Sequence, residues 1–216
     1  MEWPLLFKDK ISIEKSVIYN DGNNLTTVLR GTMFKGTDFD ALKPDENADS
    51  QLLEYFTFSH GYLCNCILEC YIEMPVCDNE QIVNGRLKAV LILGGPKESG
   101  ALDKESLTLT LYFKDEMIAS SGLTGYFEDE LLEIQRKLPN GVYMKACINC
   151  LYSDYSPYGS GLFGTMMCFS NLKEEYLKVK SKDDFWGIHD RYDSLVQETY
   201  CCEEFKQRIP GTGYRG

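Results

Sequence analysis

Residues 106–113 alternate without a break. Leu107, Leu109, Leu111 and Phe113 take one parity, and Ser106, Thr108, Thr110 and Tyr112 take the other. A period of two belongs to a strand with one face in a core and one in water, and it excludes a helix over this stretch. Similar runs lie upstream at 52–58, 62–74 and 86–93. Residues 14–19 and 25–30 are joined through Asn20-Asp21-Gly22-Asn23, a hairpin signal because tight turns need positive φ. Lys114-Asp115-Glu116 turns the chain into a short strand at 117–119. Several antiparallel strands with short polar turns predict a curved sheet or a sandwich. Residues 36–50 and 95–105 read as loops. Residues 31–42 hint at a five-residue period, but with about two units they fall short of the three a solenoid needs.

The pattern changes near residue 122. Phe127, Leu131, Ile134 and Leu138 share one face of a helix predicted over 127–138. Glu128, Asp129 and Glu130 sit at its positive end, Arg136 and Lys137 at its negative end, and Pro139-Asn140-Gly141 stops it. A strand at 142–146, a Tyr/Ser/Gly/Pro loop at 152–164, a helix at 171–179 and a last strand at 195–200 follow. Asn171 and Glu174 resemble a capping box for the second helix. Residues 211–216 read as a flexible terminus. The class is α+β: an antiparallel β-rich part, 1–121, and a smaller cysteine-bearing α/β part, 122–216, sharing one core.

The 216 residues suit one large domain or two small ones with a common interface. With 44% hydrophobic and 25% charged residues, the composition is globular. The formal charge of −11 is spread along the whole chain, and no segment is basic. That argues against a binder of nucleic-acid backbone. It fits plain solubility, or an acidic surface that captures a basic protein. The longest apolar runs, such as 87–93, are strand-sized, so no membrane segment is expected. Met1-Glu2-Trp3-Pro4 shows no basic n-region leading into an apolar stretch. Nine cysteines without an export signal predict reduced thiols in a cytoplasm, and the sequon Asn24-Leu25-Thr26 is then coincidental.

The cysteines fall into two groups. Cys64, Cys66 and Cys70 share parity with Leu68, Ile72 and Met74, which predicts core filling. Cys77 follows a turn with no obvious partner. In the second group, Cys147-Ile148-Asn149-Cys150 is a C-x2-C, Cys168 follows after 17 residues, and Cys201-Cys202 closes the set. A structural zinc needs four soft ligands in a tetrahedron, and a tight turn at C-x2-C brings two thiolates to one ion. The predicted ligands are Cys147, Cys150, Cys168 and Cys202. Cys202 continues the parity of Val196 and Tyr200, and Cys201 is the alternative. Unrelated thiols or a redox pair are the competing readings, though a redox C-x2-C sits at a helix start and a loop follows here.

Gly159-Ser160-Gly161-Leu162-Phe163-Gly164 matches G-x-G-x-x-G, but a dinucleotide turn joins a strand directly to a helix, and neither flank fits. There is no G-x-S-x-G or H-E-x-x-H. His60 falls in a hairpin turn and His189 in a short helical stretch. An enzymatic reading would gather Asp154, His189 and Glu198 near the cysteines. The loop 152–158, with Asp154, Tyr155 and Tyr158, either forms a recognition surface or packs back on the sheet.

Several stretches resemble a family of uncharacterised bacterial proteins, a domain of unknown function. They are Cys147-Ile148-Asn149-Cys150, Ser153-Asp154-Tyr155-Ser156-Pro157, Gly161-Leu162-Phe163-Gly164, Cys168-Phe169, Glu198-Thr199-Tyr200 and Gly211-Thr212-Gly213-Tyr214-Arg215-Gly216. Arg30-Gly31 and Asp38-Phe39 join them. The resemblance covers most of the chain and brings no established activity. It implies that Cys202 is the C-terminal cysteine of the set, and that the terminal Gly-Tyr-Arg-Gly belongs to the domain. The expected function is a non-catalytic cytoplasmic interaction module with a structural zinc, in one version an acidic immunity-type protein. The expected partner is another protein, in one version a basic one. An enzyme with a site in the 153–164 loop and a thiol redox protein are the alternatives.

Overall fold

The computed structural model describes residues 1–156 and 161–213. Strands β1 (Glu2–Asp9), β2 (Ile13–Asn20), β3 (Leu25–Leu29), β4 (Thr32–Gly36) and β5 (Lys43–Pro44) come first. A helical turn α1 (Ser50–Leu53) and a small hairpin of β6 (Thr57–Ser59) and β7 (Tyr62–Cys64) follow. The long strands β8 (Cys66–Asp78), β9 (Gln81–Leu93) and β10 (Glu105–Phe113) lead into β11 (Glu116–Ala119). Then come α2 (Phe127–Lys137), β12 (Val142–Met144), β13 (Ser153–Tyr155), β14 (Thr165–Cys168), α3 (Lys173–Tyr176), α4 (Lys182–Trp186) and β15 (Ser194–Gln197).

The fold is α+β and dominated by a ten-stranded antiparallel sheet in the order β11-β10-β9-β8-β1-β2-β3-β4-β5, with β12 on the end of β8. Alternation decides its two faces. Trp3, Leu5 and Phe7 of β1, the even residues from Cys66 to Val76 of β8, and Leu107, Leu109, Leu111 and Phe113 of β10 all point to one buried side. Helix α2 lays Phe127, Leu131 and Ile134 onto that side, as its periodicity requires. Loop residues Phe39 and Leu42 and the C-terminal residues Phe163, Met166 and Val196 complete the same cluster. A second cluster of Leu151, Tyr152, Phe169, Tyr176 and Phe185 lies within the C-terminal part. There β13, β14 and β15 form a three-stranded sheet.

Three local expectations change, and one strand is unanticipated. Residues 2–9 are a central strand, despite Pro4. The register of β1 with β8 begins at Leu5, so no ladder to that strand reaches Pro4, which pairs only with Val17 of β2. The expected strand at 52–58 is split, because Asp49 caps a helical turn by accepting from the Gln51 amide at 2.9 Å. The expected run 62–74 breaks at Asn65, whose φ of 55° ends β7 before β8 begins. The second helix is one turn of α3 after a 3-10 turn at Ser170–Leu172. Asn171 turns its amide onto Asp193 instead of forming a capping box. All three cysteines read as core filling are buried, and burial pushes the Cys66 and Cys70 thiols up to about 12.

Candidate functional site

The turn expected at Ile148-Asn149 is present as a 3-10 turn over Cys147–Asn149, closed by the Cys150 amide donating to the Cys147 carbonyl at 3.0 Å. The Cys147 amide donates to the Tyr200 carbonyl at 2.7 Å, and that ladder brings Cys201 and Cys202 alongside. Cys168 arrives on β14, paired with Ser153 and Ser194. Cys147, Cys150, Cys168, Cys201 and Cys202 are thereby electrostatic neighbours. Burial pushes the Cys147 thiol up, and the other four thiols add to the shift. This direction is opposite to that of an activated redox cysteine. Cys202 has Cys150 and Cys168 among its electrostatic neighbours, and the Glu204 amide hydrogen-bonds its sulfur. Cys201 directs its thiol to the Cys202 carbonyl and lies nearer Lys145. All nine cysteines are free thiols. Among the described residues, no group of three or more histidine, cysteine or acidic side chains is already drawn together tightly enough to hold a metal ion.

A buried carboxyl pair beside this turn has no counterpart in the sequence reading. Asp38, in the loop after β4, accepts the Phe163 amide on both oxygens, at 3.1 and 2.9 Å, and the Phe39 amide at 2.7 Å. Glu198, just after β15, accepts the Tyr155 hydroxyl at 2.6 Å and the Gly164 amide at 2.9 Å. The segment 161–164 is therefore clasped between two acids. Its glycines are needed for close approach. A Cβ on Gly161 would stand 2.5 Å from Asp38 Oδ2, and one on Gly164 would stand 2.5 Å from Glu198 Oε1. Phe163, between them, packs into an aromatic box of Trp3, Phe39 and Phe127, with ring centroids 5.9, 5.4 and 4.7 Å away. Burial, reinforced by neighbouring Asp40, lifts the Asp38 carboxyl to about 7. Burial also lifts Glu198 well above the carboxylate range, with Asp38 adding to the effect. Asp40 and Glu105, both raised by burial, line an adjoining cavity of about 400 Å³ with Tyr126 and Leu162.

Of the two readings of the 152–158 loop, the structure shows the packed one at Asp154 and Tyr155, which form part of β13 and are buried. Asp154 accepts the Tyr176 hydroxyl at 2.9 Å, and Arg208 donates to that same hydroxyl at 3.1 Å. Tyr158 and Gly159 lie outside the described residues. His189 is held in its own turn, its Nδ1 3.0 Å from the Trp186 carbonyl and its Nε2 2.9 Å from Asp190. Among the described residues, no helix is long and apolar enough to cross a membrane.

A wide antiparallel sheet carrying a cysteine-rich, clasped C-terminal segment defines a β-rich α+β protein. The chain belongs to a family of unknown function (DUF6304), whose model matches residues 1–153. That span holds the ten-stranded sheet, α2 and the C-x2-C turn. Cys168 and Cys202 lie beyond it. Comparison with curated proteins and with solved structures gives no match.

Proposed function

We propose that this protein is a non-catalytic protein-binding module whose C-terminal part is held by one structural zinc ion on Cys147, Cys150, Cys168 and Cys202. The observation that carries this reading is the convergence of thiols from three separated chain segments onto one electrostatic neighbourhood. Four soft donors suit a closed zinc site, where the ion supplies cross-linking and no chemistry. The surrounding segment has reason to need it. Strands and helices after residue 150 are three to five residues long, as in β13, β14 and α4, and their own apolar cluster is small. Asp154 and Glu198 direct their oxygens to the chain's own donors, which supports a structural use for both. Nine free thiols fit a reducing compartment such as a cytoplasm. The formal charge of −11 suits a basic protein partner.

Elemental analysis of protein purified without added metal tests the site. About one zinc per chain is expected for a single four-ligand site. Less than about 0.2 equivalents with every thiol intact overturns it.

A further inference from the structure

We infer that the open face of the large sheet, from β2 to β11, is the interface through which two copies of this chain pair about a two-fold axis. A sheet face turned to water should be polar at alternate positions. Here the outward positions of the central strands carry Leu6, Val17, Ile67, Val90 and Ile92, each only half-buried. The register makes this one patch: Lys8 lies opposite Ile67, Ile67 opposite Ile92, Leu6 opposite Glu69, and Glu69 opposite Val90.

The buried carboxylate inside the patch is already satisfied. Glu69 accepts the Tyr71 hydroxyl at 2.7 Å and pairs with Lys8 at 3.1 Å and Lys88 at 3.2 Å. Covering it therefore strands no anion. At the rim, Arg86 and Glu73 face each other across β8 and β9 at 3.8 Å, both well exposed. An adjacent, loosely joined plus–minus pair is self-complementary under a two-fold, where each contact between residues i and j occurs twice.

Charge selects a second copy as the occupant. The outward positions of these six strands hold four cations, Lys8, Lys15, Arg86 and Lys88. They hold three anions, Glu2, Glu69 and Glu73. The face is formally +1, which leaves −12 on the rest of a chain of −11. A second copy therefore meets this face without the net repulsion that the rest of the chain carries. The size is also sufficient. Six strands about 4.8 Å apart and about nine residues long span on the order of 850 Å², against about 800 Å² per partner in a stable interface. This inference stands without the zinc site and goes beyond the protein-binding reading.

The test is light scattering after size exclusion on the full chain, up to on the order of 100 μM, with circular dichroism as a control for folding. Wild type is expected near twice the chain mass of 24.7 kDa. Ile92→Glu and Arg86→Glu should each return the mass to one chain, and Glu73→Arg combined with Arg86→Glu should restore the pair. A wild type that stays at one chain over this range overturns the inference. So does a dimer that survives either single substitution. If Ile92→Glu does not fold, Arg86→Glu, at an exposed position, decides alone.

Discussion

The Phe163 amide donates to both carboxylate oxygens of Asp38, 125 positions away in sequence. This contact holds the C-terminal segment against the first half of the sheet. Removing the acceptor leaves the Phe163 and Phe39 amides buried without it. Asp38→Ala is expected to cost about 2 kcal/mol, since a buried donor left unpaired loses about 1–3. Urea unfolding followed by tryptophan fluorescence measures this, because Trp3 packs edge-on against Phe163.

The same residue gives the protein a pH dependence of defined sign. Asp38 has an ordinary value of 3.8 and is held at about 7 in the fold. Between those values the folded chain keeps a proton that the unfolded chain releases, so stability falls as pH rises. Asp38's contribution is fully present below about pH 4, declines through the window, and levels off above about pH 7. The size is on the order of a few kcal/mol, at 1.36 kcal/mol per pH unit. Glu198 acts in the same direction. The lowered carboxyls of Asp9 and Glu69 act oppositely, their contributions being lost as pH falls. The specific measurement is therefore a difference: the wild-type stability profile from pH 4 to 7 should be steeper downward than that of Asp38→Asn.

Gly164→Ala places a methyl 2.5 Å from Glu198 Oε1 and 2.7 Å from Tyr155 Cε1. Overpacking of this kind costs about 1–3 kcal/mol. Gly22→Ala meets nothing within 4 Å, so its cost comes only from its φ of 97°. The two melting temperatures should separate crowding at the clasp from backbone strain in a turn.

Arg30 donates to Asp9 through both terminal nitrogens, at 2.8 and 2.7 Å, to the Ser12 hydroxyl at 2.8 Å and to the Tyr55 carbonyl at 3.0 Å. Its guanidinium also lies 5.2 and 5.1 Å from the Phe7 and Phe56 ring centres. A lysine matches neither the fork nor the planar stacking. Arg30→Lys is expected to destabilise by about 2 kcal/mol, read as a lower urea midpoint with an unchanged slope.

If the four cysteines hold zinc as proposed, its removal should act locally. Chelation under reducing conditions is expected to raise amide exchange across 147–213 while β8, β9 and β10 stay protected. Uniform exchange across the chain, or no change at all, would count against a site confined to the four cysteines.

The parts legible in the sequence are those where one face meets the core over a full period. Leu107 to Phe113 and Phe127 to Ile134 fall where alternation and helical spacing place them. The turn within C-x2-C was readable too, because Cys147 and Cys150 converge only if the backbone bends. Other features had no local sign. Asp38 looks like one more acid in a polar loop, and only a contact 125 positions away makes it a buried acceptor. Gly161 and Gly164 imitate a nucleotide motif because close approach to any oxygen, here a side-chain carboxylate, calls for the same residue. The charge was even along the chain, yet the outward sheet positions hold nearly balanced cations and anions, an outcome visible only once the register is known.

The position of β1 bears on how the sheet can assemble. The first strand of the chain lies between β2 and β8, so Leu5 must wait for Cys70 before its second edge is covered. On one side of this seam β2 to β5 can zip from local hairpins, and on the other β8 to β11 can do the same. Joining them requires closure of a long loop, the kind of step that sets the rate in proteins rich in distant pairings. Until it happens, the emerging chain presents Trp3, Leu5 and Phe7 beside an unpaired strand edge, and that is the interval in which a chaperone would matter most.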